Sequence, residues 1–300
     1  MTTLENPKKC GFVAILGEPN AGKSTLTNQI VGSKVSIVSP KVQTTRRRIL
    51  GIAIREETQL ILMDTPGIFS PRRNLEKVMV KAAYETCRDA DCTVLLVDAA
   101  QRRFEGAYEI LEHLGNRPVI LVLNKIDLID RQRLLQIVTD FGRYTQITDT
   151  FMISALKNDG VEDLVKLLCS KMRESPWHYP EDQLTDLPMR LWAAEITREQ
   201  LVLQLRQELP YETYVETEKW EAFKNGSVKI NQAIVVARDA QKPIILGKQG
   251  QQIKKISTAA RLEMEHLLGY PIHLVLFVKV KDNWMESPSL LLDAGITEGV

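Results

Sequence analysis

The stretch GEPNAGKS, residues 17–24, lies between an apolar run, CGFVAIL at 10–16, and a helix-like segment at 24–31. It fits the pattern GxxxxGK[ST], which in a strand-loop-helix setting predicts a site for nucleotide phosphates. Gly17 and Gly22 bracket Glu18, Pro19, Asn20 and Ala21, and without a Cβ they let the backbone curl so that N–H groups point inward around a β-phosphate. Lys23 would bring a point charge to the β- and γ-phosphates. Ser24 would offer its hydroxyl to Mg²⁺, and Thr25 continues a first helical turn whose positive end faces the anion. The motif by itself specifies phosphate and not the base.

Working outward, 300 residues at 44% hydrophobic content suffice for a buried core and about two domains. A net charge of +1 excludes a chain that binds nucleic acid or membrane through its overall charge, so any basic surface must be local. The cysteines, Cys10, Cys87, Cys92 and Cys169, have no CxxC spacing, which predicts reduced thiols and a cytoplasmic protein. The opening MTTLENPKKC has no apolar segment of a signal peptide, and no stretch approaches the ~20 apolar residues of a membrane span.

From residue 10 to about 172, short apolar runs at 59–63, 93–97 and 118–123 alternate with helical patterns at 74–88, 105–114, 131–143 and 161–172. Such alternation predicts an α/β domain with a mostly parallel sheet covered by helices, with ligands bound at the carboxyl ends of the strands. The loops there carry chemistry. DTPG follows QLILM: Asp64 would reach Mg²⁺ through its water shell, Thr65 and Pro66 complete the turn, and the Gly67 N–H can approach a γ-phosphate. Asp98, after TVLLV, competes for the metal role but is better assigned as a turn cap.

NKID follows VILVL, bringing Asn124, Lys125 and Asp127 to the next strand end. Guanine presents two adjacent donors that a carboxylate matches and adenine lacks, so Asp127 selects guanine. SALK follows FMI, where Ser154, Ala155 and Leu156 offer backbone N–H groups, that of Ala155 suited to guanine O6. Between the phosphate loop and DTPG lies VSPKVQTTRRR, residues 38–48, expected as a mobile loop. Thr44 or Thr45, with Thr45 preferred, would join Mg²⁺ when a γ-phosphate is present. Arg46, Arg47 and Arg48 suit RNA or an arginine finger, although such a run is more often a solvated face or strand edge.

The order GxxxxGKS, Thr, DTPG, NKID, SALK resembles the translation-factor-like GTPases of the P-loop class. In place of a water-orienting glutamine after DxxG the chain has Ile68, which resembles the subgroup with a hydrophobic residue there, so the polar group for hydrolysis must come from elsewhere. Asn20 either helps hold K⁺ beside the β- and γ-phosphates or only shapes its loop. Lys23, Thr45, Gly67 and Asn20 are the candidates for the catalytic step.

PWHYPEDQLTDLP, residues 176–188, is expected as a linker because its prolines remove donors and break helices. A helical pattern follows at 193–209, then alternating segments at 212–223 and 227–236 joined through Asn225-Gly226, a hairpin signal. GKQG at 247–250 separates two helical stretches, the second at 251–268, before a last strand at 272–280. This order resembles a type II KH domain, whose GxxG loop clamps single-stranded nucleic acid. Gly247, Lys248, Gln249 and Gly250 would form the clamp, with Lys254, Lys255 and Arg261 following on the helix.

A GTPase domain at 1–175, a linker at 176–188, a KH domain at 189–281 and a tail at 282–300 together resemble the Era family. The resemblance implies a GTPase converting GTP to GDP with Mg²⁺, and with K⁺ as a candidate activator. It also implies binding near the 3′ end of small-subunit ribosomal RNA and assistance to assembly of the 30S-type subunit. Peripheral contact with the inner face of the cell membrane is a further implication, and the alternative is a membrane-associated signalling or cell-cycle GTPase. No DNA partner is expected, a monomer is expected, and the tail departs from the usual family ending.

Overall fold

The computed structural model describes residues 7–41, 44–69, 74–205, 209–282 and 284. Val42 and Gln43 of the expected mobile loop, positions 206–208 of the expected helix, and positions 283 and 285–300 of the tail lie outside the described residues. Among the described residues the contacts form two compact units, one within 7–36 and 45–186, the other within 37–44 and 187–284.

In the first unit seven strands form one sheet: β1 (Lys9–Leu16), β2 (Ile49–Arg55), β3 (Thr58–Asp64), β4 (Cys92–Asp98), β5 (Val119–Asn124), β6 (Ile147–Met152) and β7 (Arg173–Glu174). Their order is β2-β3-β1-β4-β5-β6, with β7 on the start of β1; β2 and β7 pair antiparallel and the rest parallel. Five helices accompany them: α1 (Lys23–Val31), α2 (Asn74–Thr86), α3 (Glu105–Leu114), α4 (Arg131–Phe141) and α5 (Val161–Lys171). Successive side chains on a strand point to opposite faces, so β1 sends Ala14 and Leu16 into one core and Val13 and Ile15 into the other. Burial on both faces explains why the central strands are apolar throughout.

Two features differ from expectation. β2 was not anticipated, because Gly51 interrupts its apolar pattern and a polar run precedes it. It nevertheless pairs with β3 along its whole length, from Ile49 opposite Asp64 to Arg55 opposite Thr58. Residues 176–186, expected as a linker, belong to the first unit: the Leu184 carbonyl accepts from the Ile52 N–H at 2.8 Å and the Asp186 carboxylate from that of Leu50 at 3.1 Å. Their prolines suit an edge segment that needs few donors.

The second unit contains α6 (Met189–Gln204), β8 (Thr213–Ala222), β9 (Val228–Val236), α7 (Lys242–Leu246), α8 (Gln251–Leu268) and β10 (Ile272–Val280). β9 is central, antiparallel to β8 and parallel to β10. α6 starts at Met189, earlier than the expected 193, its first turn closed by the Pro188 carbonyl, which accepts from the N–H groups of Leu191 at 2.8 Å and Trp192 at 3.0 Å. It ends at Gln204, where Leu205 turns extended, and at Leu209 the following Pro210 opposes α geometry. Trp284, fully buried, packs edge-on against Tyr214 and donates its indole N–H to the Glu212 carbonyl at 3.1 Å. Among the described residues no helix is long and apolar enough to cross a membrane.

Candidate functional site

The carboxyl ends of β1, β3, β4, β5 and β6 bring the sequence motifs to one edge of the first unit's sheet. Gly22 holds φ of 101°, and a Cβ there would lie 2.3 Å from Asn124 Nδ2, so the close approach of the two loops requires glycine. No side chain caps the first turn of α1 and no acidic residue occupies it, which leaves its N–H groups and positive end available to an anion. Lys23 is 6% exposed and donates to the carbonyls of Gly17 at 3.0 Å and Glu18 at 2.9 Å. Burial pushes its ammonium down to about 8, against the pull of Asp64 and Glu18. A phosphate would add counter-charge to that of Asp64 and Glu18 and offset the cost of burying this cation.

The metal candidates converge. Ser24 Oγ donates to Asp64 Oδ2 at 2.7 Å and lies 2.9 Å from Thr45 Oγ1. Asp64 is fully buried, and desolvation raises its carboxyl, offset first by the Ser24 hydroxyl and then by Lys23. Its Oδ1 is buried with no hydrogen-bond partner among the described residues. An orphaned carboxylate oxygen beside two hydroxyls is an all-oxygen donor set that fits a hydrated Mg²⁺, which takes few protein ligands and keeps its waters. Thr44 is not part of this group: its hydroxyl pairs with Ser39 at 2.6 Å and donates to the Lys41 carbonyl at 2.8 Å.

Gly67 packs so closely on Pro19 that a Cβ would meet it at 2.8 Å, while the Ile68 N–H donates to the Gly17 carbonyl at 3.0 Å. Pro66 is buried in the same turn. The Thr65 hydroxyl donates to the Ile15 carbonyl at 2.7 Å, so this side chain serves β1 and leaves only its backbone for a ligand. Ile68 is buried in the core with Leu16 and Phe104, in keeping with an aliphatic group that holds no water. Asn20 is exposed at φ of 63°, a left-handed conformation that asparagine tolerates, as a loop-shaping role requires.

On the base side, Asn124 is 2% exposed, donates to the Ala21 carbonyl at 2.8 Å and accepts from the Ala155 N–H at 2.9 Å. The Ala155 amide expected for guanine O6 is therefore engaged by Asn124, and Leu156, 80% exposed, carries the next N–H. The Ser154 hydroxyl, then Lys157 at 3.5 Å, hold the Asp127 carboxyl below the usual range, so it stays an acceptor. Asp98 caps its turn through the Ala100 N–H at 3.0 Å and pairs with Lys125 at 2.6 Å, a positioning role and not a metal ligand.

Sequence reasoning missed Asn28. From α1 its side chain donates to the Ser36 carbonyl at 2.7 Å and accepts from the N–H groups of Val35 and Ser36, each at 2.9 Å, fixing the chain that leads to Thr45. An asparagine inside a helix, where its propensity is poor, was the available signal. Of the arginine run, Arg46 is 7% exposed and so is not the solvated side chain that such a run suggests.

In the second unit GKQG links α7 to α8, with Gly247, Gln249 and Gly250 all at positive φ. Lys248, Lys254 and Lys255 are exposed at this end of α8. Arg261 is set apart: eleven residues of helix beyond Gly250 amount to about 16 Å, and it pairs with Glu265 at 2.6 Å. Ile244, 57% exposed on α7, adds an apolar surface beside the loop.

Comparison with known proteins agrees with both units. Residues 12–125 match the family described as 50S ribosome-binding GTPase, and residues 208–285 match the KH domain. GTPase Era of Sinorhizobium medicae is 52% identical over 292 residues, covering 97% of this chain and 94% of that protein. GTPase Era of Rhizobium meliloti is 53% identical over 292 residues, 97% and 93% of the two chains. The solved structure of Era in complex with MgGDPNP and nucleotides 1506–1542 of 16S ribosomal RNA superposes with a TM-score of 0.89 at 39% identity, over 96% of this chain and 99% of that one. An Aquifex aeolicus Era variant bound to GDP·AlF4⁻ gives the same TM-score of 0.89, identity of 39% and coverage of 96% and 99%. With the phosphate-loop pattern and the GxxG loop on one chain, and relatives at this identity along almost its whole length, the chain belongs to the Era family of GTPases.

Proposed function

We propose that this protein binds GTP with Mg²⁺, hydrolyses it to GDP and phosphate in the cytoplasm, and uses its KH unit to bind the 3′ segment of small-subunit ribosomal RNA during subunit assembly. The observation that carries the switch is the chain Thr45–Ser24–Asp64, whose hydroxyls and carboxylate meet at 2.9 and 2.7 Å beside the phosphate loop. When bound, Mg²⁺ would neutralise phosphate charge. Ser24, Thr45 and, through water, Asp64 would hold it. The Lys23 ammonium and the N–H groups of the loop and of the first turn of α1 would orient the phosphates, and Asp127 would accept the two donors of guanine.

The RNA assignment is supported by the 39% identical Era that was solved with a 16S fragment, and by the exposed lysines at the GKQG end of α8. Its test is the affinity of the full-length protein for a labelled RNA copy of the 16S 3′ end. Replacing Lys248 and Lys254 by Glu should weaken binding by at least about tenfold and flatten its salt dependence, since lost phosphate contacts release fewer counterions. Equal affinity for wild type and variant sinks the assignment. Asn20 is proposed to help hold K⁺ near the phosphates. Turnover in K⁺ should then exceed turnover in Na⁺, and Asn20→Ala should remove the difference; identical rates in both salts refute it.

A further inference from the structure

Between α2 and α3 of the first unit lies a cavity of about 560 Å³, to which no residue of GEPNAGKS, DTPG, NKID or SALK contributes a wall. Its α2 wall follows from helical spacing. Lys77, Lys81, Tyr84 and, just past the end of the helix, Arg88 recur at intervals of four and three and so share a face. The adjoining stripe of Val80, Ala83 and Cys87 packs in the core and fixes how that face is presented. From α3 and the turn after it come His113 and Arg117. The His113 ring lies against that of Tyr84, with centroids 3.8 Å apart and planes 33° from parallel. Arg117 is anchored on one edge, donating from Nη1 to the Cys87 carbonyl at 2.5 Å.

Lys77, Lys81, Arg88 and Arg117 share this cavity with one lining carboxylate, that of Glu85, 3.7 Å from Lys81. A surplus of three positive charges in one cavity is large for a chain whose total is +1. Neither Lys77 nor Arg88 pairs with a carboxylate among the described residues. Like charges one turn apart, as at Lys77 and Lys81, work against a helix, so packing gives no reason for the arrangement, whereas an arriving anion does. Two phosphate monoesters carry roughly −3 to −4 between them near pH 7, enough to offset the surplus. The Tyr84–His113 pair, with Val80 and Leu114 beside it, adds a platform on which a planar ring can stack. The volume is that of a small-molecule site. We propose that this cavity is a second ligand site, separate from the phosphate loop, for a small molecule of the nucleoside bisphosphate class. Its ring lies on Tyr84 and His113, and its phosphates meet Lys77, Lys81, Arg88 and Arg117.

The test titrates adenosine 3′,5′-bisphosphate by calorimetry into the full-length protein saturated with GDP and Mg²⁺, so that the first site is filled. Adenosine, a ring without charge, and pyrophosphate, charge without a ring, serve as partial probes. One bisphosphate should bind per chain with a Kd below about 1 mM, at least about tenfold tighter than either partial probe, and more weakly as salt is raised. Lys77→Ala combined with Lys81→Ala, at exposed positions where alanine keeps the helix, should weaken it at least about tenfold. His113→Ala should weaken it at least about fivefold, the low end for stacking on an aromatic side chain. GDP affinity should change less than about twofold in these variants, as for independent sites. Lys248→Glu combined with Lys254→Glu should leave the bisphosphate unaffected; if binding is lost there instead, the ligand sits on the GKQG loop and the proposal is overturned. No binding up to about 1 mM overturns it as well. So does pyrophosphate binding as tightly as the bisphosphate, the mark of a surface that attracts any anion. RNA affinity lost in the α2 double variant, without bisphosphate binding, would assign the surface to RNA and overturn it too.

Discussion

As the proposed guanine-selecting group Asp127 would act as an ionised carboxylate, and the Ser154 hydroxyl, with Lys157 beside it, holds its carboxyl low. Replacing it by Asn converts one acceptor into a donor. Guanine's exocyclic amine then meets another donor, whereas xanthine offers a carbonyl at that position and keeps its N1–H. Asp127→Asn should therefore lose GDP affinity by roughly 10⁴-fold, the scale on which a mismatched polar site rejects a ligand, and gain xanthosine diphosphate, as titration of both nucleotides will show. The place of this residue just beyond β5 was legible because motif and strand are adjacent in sequence. Thr65 and the Ala155 amide were not: their use on Ile15 and Asn124 depends on which way each group points once the strands are assembled.

Elements whose signals are local could be read directly: α8 and β10 occupy the expected 251–268 and 272–280 because a glycine ends each preceding stretch and the periodicity is unbroken. β2 was missed because its apolar pattern is completed only by pairing with β3. The join between α8 and β10 has its own electrostatics. Glu265 accepts the Ile272 N–H at 2.9 Å and pairs with Arg261, and these hold its carboxyl below the usual glutamate range. A lowered carboxylate stabilises the fold above its unfolded pKa, and the contribution fades as pH falls through the folded value. Glu265→Gln should accordingly lower the melting temperature by about 2–4 °C at pH 7. The gap between wild type and variant should narrow as pH falls below the ordinary glutamate range and Glu265 becomes protonated in the folded state. A gap that is constant with pH would assign the effect to packing.

At the scale of the whole molecule, the proposed nucleotide and RNA sites belong to different units, so any influence of one on the other is a coupling free energy and must be reciprocal. If the GTP analogue tightens RNA binding by some factor relative to GDP, saturating RNA should raise the analogue-to-GDP affinity ratio by that same factor. Unequal factors, measured by titrating in both directions, would mean that a further state or partner intervenes. Following such an exchange requires a reporter on one unit alone, and the placement of sulfur supplies it. Cys10, Cys87 and Cys92 are buried and Cys169 is half-buried, all in the nucleotide-binding unit. Burial pushes the Cys87 thiol up to about 11 and raises the other three, so little reactive thiolate exists at neutral pH. From residue 170 to the end the sequence contains no cysteine. A single cysteine installed at the exposed Lys224, in the hairpin turn away from the GKQG loop in sequence, would therefore take a maleimide dye ahead of every native thiol, giving a fluorescent probe on the second unit without first stripping the protein of its own sulfhydryls.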